Sequence, residues 1–226
     1  MQSVAESAAS DRDIAKFYKA NGYKAIWTEK GGKAKQRRSA LLKALKEAPA
    51  HGLPAYDTTN LELNLRAVKS ERDLGRLEVM LSKLFLDYAR DIQTGVLVPG
   101  RIDSGIVREV PYRDRSSVLA AFAKSSPKGF IKTLPPTNPE YARLMKEKLR
   151  LEKVIGKGGW GPKVQARKLE LGHSNKAVVQ LRNRLIAMGY LKRTSTSTYD
   201  DKIRKAVAVF QRDHGLHTDG VAGEGT

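Results

Sequence analysis

Ala206-Val207-Ala208-Val209-Phe210-Gln211-Arg212-Asp213-His214-Gly215-Leu216-His217-Thr218-Asp219-Gly220-Val221-Ala222-Gly223-Glu224-Gly225-Thr226 decides how this chain is to be read. It opens as an amphipathic helix and stops at His214-Gly215-Leu216. There glycine can take the left-handed conformation and the following leucine can fold back. Asp219-Gly220 is a turn signal, and Gly223 and Gly225 continue the loop. Tyr199-Asp200 precedes the helix and offers Asp200 as its N-cap. Upstream, Ala177-Val178-Val179-Gln180-Leu181-Arg182 opens a second helix that ends at Met188-Gly189-Tyr190. The two helix starts lie 29 residues apart and share the pattern Ala-Val-x-x-(Leu/Phe)-(Arg/Gln), a weak duplication and not a solenoid. A polar Ser/Thr loop at Thr194–Thr198 separates them.

Working further back, Gly156-Lys157-Gly158-Gly159-Trp160-Gly161-Pro162 interrupts all periodicity and reads as a linker region over 156–170. Residues 1–155 read as helices. Ser10 is the expected N-cap of a helix carrying Ile14, Phe17 and Tyr18, with Asp13 as the capping-box acid. Asn21-Gly22 ends that helix, and Ile26-Trp27 follows as a short extended piece. A second helix carries Leu41, Leu42, Leu45 and Ala48 and stops at Pro49. A longer one carries Leu74, Leu77, Leu81, Leu84, Phe85 and Tyr88 and ends near Gly95. A short helix spans Ser117–Lys124. After the Pro135-Pro136 loop, Asn138-Pro139 starts another, with asparagine as cap and proline at the first helical position. The expected architecture is mainly α: a helical domain over 1–155 and a small three-helix-type module over 171–226.

With 42 Lys+Arg against 24 Asp+Glu, the net charge is +18. Residues 171–226 carry nine basic and five acidic residues, so the first 170 hold a net +14. This balance favours polyanionic partners or, equally, a well-solvated lysine-rich surface. The chain has no cysteine, which excludes disulfides, thiolate metal sites and a cysteine nucleophile within it. No apolar run approaches the ~20 residues of a membrane span. The first residues lack the basic and apolar regions of a signal peptide.

Three motif matches carry little. Gly156, Gly158 and Gly161 satisfy G-x-G-x-x-G, yet they follow a Lys/Leu-rich helix, not a strand, and run into Pro162. Ser125-Ser126-Pro127-Lys128 satisfies S-x-x-K without the companion motifs of penicillin-recognising enzymes. His214 and His217 have no third ligand at metal-binding spacing, so no metal and no cofactor is expected.

Phe210-Gln211-x-x-His214-Gly215-Leu216-x-x-Asp219-Gly220-Val221-x-Gly223-x-Gly225-Thr226 resembles the signature of the three-helix type of peptidoglycan-binding module. Val178-x-x-Leu181-Arg182-x-Arg184-Leu185-x-x-x-Gly189-Tyr190-Leu191 is similar to that module's first helix and turn. The upstream landmarks resemble the scaffold domain of YcbB-type L,D-transpeptidases. They are Phe17-Tyr18, Trp27, Leu41-x-x-Ala44, Ala48-x-x-His51-Gly52-Leu53, Tyr56, Tyr88-Ala89-Arg90-Asp91-x-x-x-Gly95, Pro139-x-Tyr141-x-x-Leu144 and Gly158-Gly159-Trp160. The order of landmarks is preserved over most of the chain.

The resemblance implies a part that binds and positions murein, glycan strands and stem peptides alike, for 3-3 crosslinking in the periplasmic envelope. It also implies, as a further partner, a catalytic domain whose Ser-His-Gly-Cys motif has no counterpart here. No catalytic residue is expected in this chain, and none can take the nucleophile's role. The final helix that closes such modules is not seen before Thr226, so the Val221–Thr226 turn is expected to fray for want of cover. Near the helix ends, Arg182, Tyr190, Tyr199 and Gln211 are candidate peptidoglycan contacts: tyrosine for sugar faces, arginine for carboxylates. For Gln211 a bond to nearby backbone, and for Tyr190 core packing, are the competing readings. Two rival functions remain: a basic nucleic-acid-binding protein and a standalone, non-enzymatic envelope scaffold. Against nucleic acid, the helix pair is the less basic part, and its cations are not interleaved with aromatic residues.

Overall fold

The computed structural model describes residues 1–226, the side chain of Arg66 excepted. It is mainly α, with two isolated β-bridges and no strand among the described residues. The chain divides into two compact units, Met1–Lys148 and Leu149–Thr226.

In the first unit α1 (Gln2–Ala8) and α2 (Arg12–Ala20) precede α3 (Gly32–Glu47), which runs into a 3₁₀ turn at Ala48–His51. There follow α4 (Thr58–Arg66), α5 (Glu71–Thr94), the short α6 (Pro99–Ile102), α7 (Arg115–Lys124) and α8 (Pro127–Lys132). α9 spans Pro139–Gly156, and the Asn138 side chain caps it by accepting from the Tyr141 N–H at 2.8 Å. The cap of α2 differs from expectation. Asp11, not Ser10, accepts from the N–H groups of Asp13 and Ile14. Asp13 instead faces Arg115, 3.5 Å away, and Asp11 pairs with the same guanidinium at 3.0 Å. Pro49 does not end the second helix outright. It tightens the last turn to 3₁₀, and Gly52, at φ 79°, lets Leu53 turn back into the core.

α5 is the axis of this unit. A capping box between Ser70 and Asp73 starts it, and Leu77, Leu81, Phe85, Tyr88 and Ile92 line its buried stripe. α1 packs against it at Gly75, where a Cβ would sit 2.5 Å from the Ser3 carbonyl carbon and oxygen. Trp27, Phe85 and Phe122 stack at the centre, with centroids 5.2 Å (Trp27–Phe122) and 4.2 Å (Phe85–Phe122) apart.

Ile26–Thr28, expected as an extended piece, is a bend instead, and side chains satisfy its backbone. The buried Glu78 accepts from the N–H groups of Ile26 at 2.6 Å, Trp27 at 3.0 Å and Thr28 at 2.8 Å. It also accepts from the hydroxyls of Tyr18 and Thr28. The Trp27 indole N–H donates to Ser82 at 2.9 Å. On the other side, Arg37 donates to the Ile26 carbonyl at 2.8 Å and Arg38 to that of Trp27. Burial first, and then the Glu78 carboxylate, push the Tyr18 phenol well above its ordinary value.

The second unit contains α10 (Lys176–Met188) and α11 (Asp201–Asp213), capped by the side chains of Asn175 and Asp200. Its core is Leu169, Val178, Leu181, Leu185, Tyr199, Ile203, Ala206 and Val207. Leu169 lies in the stretch that reads as linker in the sequence. It is nevertheless buried, and pairs with Ala222 through two backbone hydrogen bonds of 2.9 Å.

Candidate binding site

The second unit is too small to close a thick core, and a groove of about 560 Å³ opens between its helices and its two end segments. Its floor is apolar: Leu169, Leu181, Leu185 and Val207 reach it from the core, Met188 and Phe210 from the helix ends. Val164 and Ala166 form one wall; Ala222, Gly223 and Thr226 form the other. The charges on its rim are Lys163 and Arg184 against Glu224. Arg184 donates to the carbonyls of Gly161 and Pro162 at 3.1 and 3.3 Å, which holds the 161–166 wall beside α10. An apolar trough with a few convergent polar groups is the ordinary form of a small-ligand site. Methyl groups and sugar ring faces fit such a floor, and carboxylates fit its cationic rim.

The wall at 219–226 is built by Gln211, which is 2% exposed. Its Nε2 donates to Asp219 at 2.9 Å, to the Val221 carbonyl at 3.0 Å and to Thr226 at 3.2 Å. Its Oε1 accepts from the Gly220 N–H at 2.8 Å. Gly220 is required here: its φ is 69°, and a Cβ would lie 2.8 Å from Arg204 Cγ. The turn expected to fray is hydrogen-bonded in the structure. One buried amide and the Leu169–Ala222 pair tie it down without a covering helix. The N–H of Val221, then Gln211, hold the Asp219 carboxyl below its usual range.

The four side chains proposed from the sequence do not converge. Tyr199 is fully buried; its hydroxyl donates to the Gly220 carbonyl at 2.8 Å, and burial pushes its pKa up to about 12. Gln211 takes the backbone-bonding role just described. Arg182 donates to the Thr196 carbonyl at 2.6 Å and to Asn183 at 2.8 Å, bracing the Ser/Thr loop. The half-buried Tyr190 packs edge-on against Phe210, with centroids 5.4 Å apart, and Phe210 stacks on His214 at 4.1 Å. Only Phe210 of this ring cluster reaches the groove. The groove residues that the sequence reading missed, Lys163, Val164 and Ala166, lie in the Gly/Lys-rich stretch, where no periodicity marks them.

Fold and groove together define a helical, two-unit protein with a small ligand-binding module at its end. A family described as the scaffold domain matches residues 12–147, more than half of the chain, and the protein belongs to that family. A family described as a peptidoglycan binding domain matches residues 174–226, the segment that carries α10, α11 and the Gln211 turn. No curated protein matches the chain. A scaffold domain followed by a peptidoglycan-binding domain fits the architecture of the L,D-transpeptidase type. Such a binding domain acts at the cell wall or envelope, and no helix among the described residues is long and apolar enough to cross a membrane.

Proposed function

We propose that this protein binds murein through the α10–α11 groove and positions it for an L,D-transpeptidase of the YcbB type, in the periplasm. The supporting observation is the groove itself: an apolar floor with Lys163 and Arg184 on its rim, within the unit that carries the peptidoglycan-binding match. Methyl-bearing stem residues lie on the floor, and their carboxylates meet the rim. Tyr199 and Gln211 serve by holding the wall; Arg182 and Tyr190 serve by fixing the loop and the ring cluster beside it. The chain contains no cysteine. The thioester step of a 3-3 crosslink therefore belongs to a catalytic domain that acts with it, not to any of these residues.

The test is made in cells. The chromosomal copy is replaced by an Ala166→Trp variant, which fills the groove from an exposed position. The sacculi are then digested and the muropeptides resolved by mass spectrometry. The expected result is a lower share of 3-3 crosslinked dimers. An unchanged share, in a variant that is released from sacculi at high salt, would refute the positioning role.

A further inference from the structure

The first unit has a hollow of its own, of about 750 Å³, which the binding module does not involve. Two helices face it. On α3, Lys35, Ser39, Lys43 and Glu47 are spaced by four and so share one face. On α8, Lys128 and Lys132 are spaced likewise. The floor between them is apolar, with Ala44 and Ile131 both buried. Glu47 is the one carboxylate on the lining, and it lies 3.6 Å from Lys43. Among the described residues, Lys35, Lys128 and Lys132 have no carboxylate within the 4.0 Å limit of an ion pair. Three uncompensated ammonium groups around one concavity repel each other and focus a positive field into it.

We propose that this α3–α8 hollow is a second binding site, for a short peptide bearing two or more free carboxylates, the chemistry of a murein stem peptide. That choice of peptide rests on the murein reading above; the anionic preference does not. Lysines spaced along two helices suit separate carboxylates, and the floor between them suits short aliphatic side chains. Single-stranded nucleic acid fits worse, because of the two rings on the lining Tyr88 is 2% exposed and His51 already stacks on Tyr141, which leaves no platform for successive bases. An anionic membrane also fits worse. None of the large exposed apolar side chains lies on α3 or α8, where insertion into lipid would need them. With a second site in the first unit, one murein strand can be held at two points, which raises its effective concentration at each.

The test titrates the full chain with a synthetic stem tetrapeptide by isothermal calorimetry. The same peptide with its carboxylates amidated, single-stranded oligothymidine and anionic vesicles serve as the other probes. Lys128→Glu/Lys132→Glu reverses two exposed charges and disturbs no buried group. It is expected to bind the free-acid tetrapeptide about tenfold more weakly, two lost contacts at exposed-pair strength with added repulsion. Ala166→Trp blocks the groove assigned to murein above and is expected to leave in place the part of the binding that depends on Lys128 and Lys132. Equal affinity of the double variant and the unaltered protein would overturn the proposal. So would equal binding of the amidated peptide, or a loss confined to oligothymidine or vesicles. Loss of all tetrapeptide binding in Ala166→Trp, with no Lys128- and Lys132-dependent part left, would place the peptide in the module alone and also overturn it. If sacculi fail to bind while the tetrapeptide still does, the module reading falls and this site stands.

Discussion

Replacing Glu78 by glutamine is a small change in shape and a large one in hydrogen bonding. In the native unit both carboxylate oxygens face donors. Oε1 meets Ile26 N–H and the Tyr18 hydroxyl, each at 2.6 Å; Oε2 meets Trp27 N–H at 3.0 Å and Thr28 N–H at 2.8 Å. A glutamine amide turns one of those oxygens into a donor of two hydrogens. Whichever way it is placed, at least one backbone N–H, that of the buried Ile26 or the part-buried Thr28, meets an N–H instead of an acceptor. Each such orphan costs about 1–3 kcal/mol. With the aromatic stack over Trp27 resting on the same segment, the expected loss is about 2–4 kcal/mol in the first unit. That corresponds to a fall in Tm of roughly 5–15 °C. The assay is urea unfolding followed by tryptophan emission in a Trp160→Phe background, so that Trp27 alone reports. Glu62→Gln, at an exposed pair with Lys46 of 3.0 Å, is the control and should cost under about 0.5 kcal/mol. A Glu78→Gln loss no larger than that of the control would refute the view that this carboxylate holds the Ile26–Thr28 segment.

Further outcomes follow from other contacts. Gly75→Ala sets a Cβ 2.5 Å from the Ser3 backbone and should displace α1 at a cost of about 1–3 kcal/mol, read by calorimetry and by faster hydrogen exchange in residues 2–8. The Ser117 hydroxyl, then that of Ser116 and the Ser117 N–H, lower the Asp114 pKa to about 2. This folded value lies below the ordinary 3.8, so the cap's contribution is complete above about pH 3.8 and is lost as pH falls through about 2. In Ser117→Ala, an NMR titration should move the Asp114 midpoint up toward 3.8. Gln211→Leu leaves the Gly220 N–H without its acceptor and should cost about 1–3 kcal/mol, with faster amide exchange at Gly220 and Ala222 as its signature.

The helices that carry the fold were legible because their signals are local. α5, α10 and α11 each show an apolar stripe at helical spacing, and α10 and α11 have a glycine just past or near the end and an Asn or Asp at the start. α2 shows the limit of such reading. Ser10 and Asp11 are adjacent candidates of similar propensity, and what favours Asp11 is Arg115, 104 positions away in sequence. α1 was not foreseen because its Val4 and Ala8 stripe is too short to stand out. Glu78 gives no warning either. A glutamate between Leu77 and Val79 reads as a solvated helix position, and only the tertiary fold brings three consecutive N–H groups of a bend to it. The groove was hidden for a related reason. Its walls come from 163–169 and 222–226, segments without periodicity, joined by the Leu169–Ala222 pair.

The measurement that bears most directly on the murein-binding groove is co-sedimentation of the full chain with purified sacculi at low salt and at about 1 M salt. At about 1 M the Debye length is ~3 Å, so the attraction of a +18 surface for wall carboxylates is largely screened while contacts formed inside a groove persist. The expected result is that the unaltered protein stays with the pellet at high salt, whereas Ala166→Trp pellets at low salt and is released at high salt. Release of both at the same salt, or retention of both at about 1 M, would contradict the assignment of murein binding to the α10–α11 groove.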